Sequence, residues 1–241
     1  MERAARSRKD RQEPRISVDV IDDLLFTGAA LASAVEHRRL PIDLHRVESN
    51  WIPYITAFDE AAGAVVVRAE LSDHVPTVLK VRAIASIGAV PVVLADRPSP
   101  AHARRLIQAG AHGVLTREHS FDALLQALLD LARDSKSSPR TGALRPAGPS
   151  GFERLDGFDA GVSEVRLSDR ELQVASLYVG RSAPSATVIA ELLGVPFASV
   201  RTYLQRARAA LRPLGPTSNR ESLHRMLVSD GWVDAGDGQR D

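Results

Sequence analysis

The sequence predicts two units of different class: an α/β domain on a five-stranded parallel sheet, followed by an all-α domain. From Ile16 to residue 134, short apolar or β-branched runs alternate with amphipathic segments, which is the pattern of a parallel sheet with helices on both faces. A stretch rich in Ser, Pro, Gly and Arg follows at 135–162, as expected for a flexible linker. From Leu167 onward, the apolar residues keep helical spacing.

Five strands and five helices are predicted in the first unit. The strands are RISVDVIDD, IDLHRV, AVVV, VPVVLAD and HGVLT, and the helices are LLFTGAALASAVEHRRL, SNWIPYITAFDEAAG, PTVLKVRAIASIG, SPAHARRLIQAG and SFDALLQALLDLARD. The fourth helix has the clearest ends, with Ser99 as N-cap before Pro100 and with Gly110 just past the last turn. Ser49 or Asn50 is a candidate cap for the second. Ligands of such sheets bind at the carboxyl ends of the strands.

The predicted boundaries are a disordered basic arm at 1–14, the α/β domain at 15–134, the linker at 135–162, the all-α domain at 163–232 and a disordered tail at 233–241. The helices of the all-α domain are LSDRELQVASLYVG, TVIAELLGV, FASVRTYLQRARAALRPLG and SNRESLHRMLVSDGW.

Composition bounds the function. The chain has no cysteine, which excludes disulfides, a thiolate nucleophile and cysteine-based metal sites, and is compatible with a reducing cytoplasm. No apolar run approaches the roughly 20 residues of a membrane helix. We predict no enzyme, no metal and no cofactor, because the histidines are scattered and no glycine-rich phosphate loop is present. Arg170 and Glu171 have no His or Ser partner at a plausible spacing, so a helix-end ion pair is the expected arrangement.

Two adjacent carboxylates, Asp22 and Asp23, follow the first strand and are therefore expected at the carboxyl edge of the sheet. Such a pair repels and calls for a cation or a donor nearby, and oxygen ligands of this kind suit Mg²⁺. The alternative is that one of them caps the first helix.

The strand–helix order, this acidic pair and the segment QAGAHGVLTREHSFDALLQAL resemble the receiver domain of bacterial response regulators, which implies a flavodoxin-like α/β fold for 15–134. In that family an aspartate ending strand three accepts phosphate, a Ser or Thr ends strand four, and a Lys ends strand five. The matching positions here hold Arg68, Ala95 and Arg117. The resemblance therefore implies a degenerate receiver, a pseudo-receiver that lacks the phosphoacceptor aspartate and works without phosphorylation.

Arg68 cannot replace the phosphoacceptor in its chemistry, because a guanidinium has no acceptor lone pair and cannot become a nucleophile. It can pair with Asp22 or Asp23 where the metal of a receiver lies, with an attraction of about 4 kcal/mol before desolvation. We expect Arg68 to substitute for that cation. The alternative is a solvent-facing arginine at a strand end, and Glu70 is a further acidic side chain close by.

The segment TVIAELLGVPFASVRTYLQRARAAL fits a helix–turn–helix, in which the second helix enters the major groove of DNA. The first helix has an apolar face at Ile189, Ala190, Leu192 and Leu193. Gly194 supplies the turn, and Val200 and Leu204 anchor the second helix. From Phe197 to Arg212 the chain has four arginines and no acid, which is typical of a DNA-reading face.

With LSDRELQVASLYVG as opening helix, residues 165–230 resemble the DNA-binding domain of the LuxR/NarL/FixJ group, although the loop RSAPSATV is longer than usual. The resemblance implies contacts with DNA bases for Arg201, Thr202 and Gln205, and phosphate contacts for Ser199, Arg206 and Arg208.

We therefore expect a DNA-binding transcription regulator of the response-regulator type, as found in two-component systems. Its expected partners are double-stranded DNA, a second copy of the chain and RNA polymerase, with no membrane. Two surfaces are candidates for pairing: Leu223, Met226 and Leu227 on the last helix, and the apolar positions of FDALLQALLDLA. Two alternatives stay open. One is a sensor that binds a small-molecule ligand at the vacated carboxyl edge, and the other is a factor that titrates a protein partner and binds DNA secondarily.

Overall fold

In the computed structural model, the structure describes residues 15–57, 61–134 and 163–234 of the 241. The predicted arm at 1–14, the linker at 135–162 and the last part of the predicted tail, 235–241, lie outside the described residues. The tail was predicted to begin at residue 233, and this boundary is wrong because Val233 and Asp234 are buried.

The predicted five-stranded parallel sheet is confirmed, with strand order β2-β1-β3-β4-β5. The strands are β1 (Ile16–Ile21), β2 (Ile42–Glu48), β3 (Ala64–Arg68), β4 (Val90–Ala95) and β5 (Gly113–Thr116). The helices between and after them are α1 (Phe26–Arg38), α2 (Trp51–Thr56), α3 (Thr77–Ser86), α4 (Pro100–Ala109) and α5 (Phe121–Asp134).

Both faces of the sheet are covered, which explains why β3 is apolar at successive positions rather than at alternate ones. Ala64 and Val66 belong to the buried cluster that contains residues of α1 and α5. Val65 and Val67 point the other way, into the cluster that contains residues of α2, α3 and α4.

The second unit contains α6 (Asp169–Val179), α7 (Ala186–Leu193), α8 (Phe197–Leu211), a short 3₁₀ helix (Arg212–Leu214) and α9 (Arg220–Ser229). The predicted helix–turn–helix is α7 and α8. Ile189, Val200 and Leu204 are buried together with residues of α6, while Leu192 is exposed. Gly194 in the turn has φ +62°, a left-handed conformation that costs glycine little.

The cap predicted for α4 is confirmed, whereas the contact predicted at the start of α6 is not. The Ser99 side chain accepts from the His102 amide, and Gly110 ends α4 in the left-handed region, as predicted. The ion pair expected between Arg170 and Glu171 is wrong. Glu171 instead accepts from the Ser168 amide at 2.9 Å in a capping box, because the first amides of a helix need acceptors, and Arg170 donates to Gln173 at 2.8 Å.

The apolar side chains of the two candidate pairing surfaces are largely buried inside the chain. Leu223 and Leu227 of α9 are fully buried, and Met226 packs against the same core. In α5 the leucines at 124, 125, 128 and 131 are buried against the sheet. Neither stripe is free for pairing, because that of α5 covers the sheet of its own unit and that of α9 lies in a buried cluster shared by the two units. Within the described residues, no helix is long and apolar enough to cross a membrane.

Candidate functional site

The carboxyl edge of the sheet brings charged residues together from the ends of three strands. Asp22 and Asp23 follow β1, Arg68 is the last residue of β3, and Asp96 follows β4. Because these strands are parallel neighbours, their ends meet at one edge. Glu70, two residues beyond β3, joins them.

The Arg68 guanidinium lies at the centre of this group, among four carboxylates. Its Nη1 is 3.5 Å from Asp22 Oδ1 and 3.8 Å from Asp23 Oδ1. Its Nε is 3.4 Å from Glu70 Oε2, and its Nη2 is 3.6 Å from Asp96 Oδ2. The side chain is only 13% exposed, so the alternative of a solvent-facing arginine is wrong, and the predicted pairing with the acidic pair is present.

Besides pairing with Arg68, Asp22 accepts hydrogen bonds from the segment that leads into α1, although the N-cap position itself is Leu25. It accepts from the amides of Leu24 and Thr27 at 3.1 and 3.2 Å and from the Thr27 hydroxyl at 2.6 Å. Burial raises the pKa of this carboxyl, but the Thr27 hydroxyl, the two amides and the Arg68 guanidinium together outweigh burial and leave the pKa lowered. The ionised form of Asp22 is therefore favoured.

Glu70 has the opposite shift. Burial is the largest cause and raises the pKa of its carboxyl, and the nearby Asp96 carboxylate adds to this. The Asp96 amide donates to Glu70 Oε1 at 2.5 Å, and Arg68 also favours ionisation, but neither reverses the shift. In turn, the pKa of the Arg68 guanidinium is raised by the surrounding acids despite burial.

The other two predicted receiver positions contribute no group to this cluster. Ala95 ends β4, is buried and carries no hydroxyl, while Arg117 lies beyond β5 with an exposed side chain. Asp96 was not among the predicted residues of this edge, although its place directly after β4 predicts it there. A guanidinium at the end of β3 supplies fixed positive charge and donors, but no lone pair to attack phosphorus.

The second helix of the helix–turn–helix presents a polar face to solvent. Arg201, Thr202, Gln205 and Arg206 of α8 are exposed, and Ser199 is partly exposed. A shallow groove of about 300 Å³ runs beside them, lined by Ala198, Ser199, Thr202, Tyr203 and Arg206. The opposite face of α8 is buried, so these side chains are held outward by the packing of Val200 and Leu204.

Arg208 lies differently from the other predicted DNA-contact residues. It is partly buried, with its guanidinium carbon 5.5 Å from the centroid of the Tyr178 ring. Arg220 stacks on the same ring at 4.3 Å and donates to the carbonyl oxygens of Ala183 and Pro184 at 2.7 and 3.0 Å. These bonds hold the long loop before α7, a role for Arg220 and Tyr178 that the sequence analysis missed.

Comparison with solved structures finds the same architecture. The RcsB response regulator of Salmonella typhimurium superposes with a TM-score of 0.54 at 16% identity, over 90% of this chain and 98% of that one. RcsB from Salmonella enterica serovar Typhimurium bound to promoter P1flhDC in the presence of the phosphomimetic BeF3- gives 0.54 at 17% identity, over 89% and 99%. The same protein bound to promoter rprA gives 0.52 at 15%, over 88% and 98%.

This chain has the fold of a two-domain response regulator. At these identities the likeness concerns the fold, with the α/β unit matching the receiver and the helical unit the DNA-binding part. Neither the protein-family models nor the curated proteins give a match to this sequence. In this fold the carboxyl-edge cluster lies at the ends of β1, β3 and β4, and α8 is the second helix of the helix–turn–helix.

Proposed function

We propose that this protein is a DNA-binding transcription regulator of the response-regulator type whose receiver works without phosphorylation. The observation that carries the proposal is the polar face of α8, the second helix of a helix–turn–helix, which is exposed, rich in arginine and free of acids. Phosphate groups attract such a face whatever the DNA sequence, and side chains that reach base edges add specificity.

The exposed residues suggest a division of labour on DNA. Arg201, Thr202 and Gln205 are proposed to contact base edges, where an arginine reads guanine with two hydrogen bonds. Ser199 and Arg206 are proposed to contact phosphates and so to fix the register. Arg208 keeps its proposed phosphate contact, although its stacking on Tyr178 gives the guanidinium less reach.

Arg68 supports the second part of the proposal, independence from phosphorylation. Its guanidinium stands at the end of β3 and is already surrounded by the acidic side chains of the edge. This pairing favours a receiver with a permanent internal cation over a receiver that binds a small molecule at the same place.

We propose a homodimer as the form that binds DNA, because one helix–turn–helix contacts too few bases for useful specificity. We also propose RNA polymerase as a further partner and the cytoplasm as the location of the protein.

The DNA part is tested by genome-wide occupancy of the full chain, followed by binding of the recovered fragments. Arg201→Ala should weaken binding by about 1–3 kcal/mol and relax preference at one base pair. The exposed Arg225 on α9, which pairs with Glu221, provides the matched control, and Arg225→Ala should bind like the parent. If Arg201→Ala and its parent prefer the same fragments with equal affinity, α8 is not the reading helix.

The phosphorylation part is tested with acetyl phosphate and Mg²⁺, followed by mass spectrometry. The peptide Val65–Leu71 should gain no phosphate, because Arg68 stands where a nucleophilic carboxylate is needed. A phosphorylated residue in that peptide contradicts the proposal.

A further inference from the structure

The helical unit packs against α3 and α4 of the receiver through its C-terminal residues. Asp230, Gly231 and Trp232 follow α9 directly, and all three are buried; we call these three residues the C-terminal latch. Buried apolar side chains on both sides, among them Leu106 of α4 and Leu227 of α9, belong to one continuous cluster. The contact therefore has an apolar interior in which polar groups need partners.

Arg105 of α4 supplies those partners from the receiver side. Its guanidinium carbon is 4.1 Å from the centroid of the Trp232 ring, its Nε donates to the Asp230 carbonyl oxygen at 2.9 Å, and its Nη2 donates to the Asp230 carboxylate. Trp232 Nε1 donates to the same carboxylate at 2.9 Å. The Arg105 and Asp230 side chains are only 6% and 5% exposed, so separating them leaves two uncompensated charges unless water enters.

Gly231 makes the contact sensitive to a single methyl group. Its φ is +78°, and a Cβ placed there would lie 2.3 Å from the backbone carbon and oxygen of Ala101 in α4. His102 Nδ1 also donates to the Gly231 carbonyl oxygen at 2.8 Å. A side chain at position 231 therefore forces the backbone of the latch away from α4.

The docked arrangement leaves the reading helix open. Arg201, Thr202, Gln205 and Arg206 are exposed with the latch in contact with α4. Further polar contacts between the units come from Arg82 of α3, which donates to Asp169 at 2.6 Å and to the Leu167 carbonyl oxygen at 3.2 Å. Arg105 also donates to the Ser163 carbonyl oxygen at 3.1 Å, and these contacts involve residues before or at the start of α6 rather than α8. The receiver thus holds the helical unit by the start of α6 and the end of α9.

We propose that the C-terminal latch fixes the helical unit on the α3–α4 face with α8 exposed, so that DNA binding requires no release of this unit from the receiver. The α3–α4 face is then a surface whose partner is the chain's own C-terminal segment. The statement about DNA rests on the proposed function, whereas the latch stands on the contacts alone.

Fluorescence tests the latch in the full chain. The chain has two tryptophans, so Trp51→Phe leaves Trp232 as the reporter. In this background Gly231→Ala should shift the Trp232 emission to the red and increase its quenching by acrylamide, because the ring leaves Arg105 for water. Gly88→Ala is the matched control, since Gly88 has a similar φ of +83° with nothing within 4 Å of the added Cβ; it should leave the emission unchanged.

Arg105→Met removes the guanidinium that contacts Trp232 from the receiver side and should shift the emission in the same direction. This second variant keeps the proposal testable if Gly231→Ala fails to fold. Unchanged emission in both latch variants overturns the proposal.

Binding to a random-sequence DNA duplex at low salt tests the second half. Gly231→Ala and its parent should have the same Kd, because α8 is exposed in both. If the latch instead hid the reading helix, Gly231→Ala would bind DNA about tenfold more tightly than its parent, or more. That result overturns the proposal. If neither protein binds DNA, the proposed function fails, while the fluorescence result still decides whether the latch exists.

Discussion

At the scale of single residues, Arg68 shows how one buried side chain of the chain can balance the charge of several acids at the carboxyl edge. The edge of the sheet gathers carboxylates because several strands end there, and acids so close to one another need a cation. A guanidinium within 4 Å of four carboxylates supplies it from the chain itself. The charge of the guanidinium is permanent, unlike that of a bound ion.

Replacing Arg68 by Met should destabilise the receiver by about 3 kcal/mol at pH 7, because the acids keep their charge and lose their cation. In the parent, the pKa of Asp22 is lowered, so its contribution to stability is present above its unfolded-state pKa and is lost as the pH falls through the folded-state pKa. Without Arg68 that pKa rises. The difference between variant and parent should therefore shrink as the pH falls toward 4.

Denaturant unfolding at pH 7 and pH 4 measures this difference. The control is Arg117→Met, which removes an exposed arginine at the same edge and should change the free energy of unfolding by less than about 0.5 kcal/mol at either pH. Equal destabilisation by Arg68→Met at both pH values contradicts an electrostatic role.

At the scale of elements, α8 has a buried face that fixes its orientation and an exposed face that is proposed to contact DNA. The packing of Val200 and Leu204 turns Arg206 outward beside the groove. Arg206→Ala should weaken binding to all DNA sequences alike and make the salt dependence shallower by about one unit of slope, as expected for one lost phosphate contact. Titrations at several salt concentrations measure it, with Arg225→Ala as the control; an unchanged slope rules out a phosphate contact by Arg206.

The last helix, α9, differs from α8 in that its main described feature is an apolar stripe that is buried within the chain. Leu223 is fully buried, so Leu223→Ala should lower the free energy of unfolding by about 2–5 kcal/mol through the cavity it leaves. Since the stripe is intramolecular, the loss should not depend on protein concentration. Thermal unfolding across a hundredfold range of concentration, together with sedimentation, distinguishes the two cases. A loss that grows on dilution would return α9 to the role of a pairing surface.

At the scale of the whole molecule, a continuous buried cluster and the C-terminal latch make the receiver and the helical unit one body. We expect unfolding in a single calorimetric transition. A double-mutant cycle of Arg105→Ala and Asp230→Ala should show a coupling energy of about 1–3 kcal/mol, because this pair is buried. The exposed pair Arg225–Glu221 should show no more than about 0.5 kcal/mol. Two separate transitions in the parent, or equal coupling in both pairs, contradict a single body.

The sequence by itself determined the elements and much of the carboxyl edge. Alternation of apolar runs with amphipathic segments is a local pattern, and so are the cap at Ser99 and the turn at Gly194, because each depends on residues within one or two turns of the chain. Asp22, Asp23 and Arg68 were placed together because parallel strands end at one edge. The same rule predicts Asp96, which directly follows β4, although the sequence analysis did not use it.

Only the tertiary structure decided which apolar stripes stay free and how the two units meet. The periodicity of α9 marks Leu223 and Leu227 as one face but does not say what covers that face. Arg105 and Asp230 are 125 residues apart in the chain, and nothing in the local sequence of either predicts the other. Their contact, like the close approach of Gly231 to α4, exists because two separately patterned units bury a shared apolar surface, and that surface is a property of the folded chain.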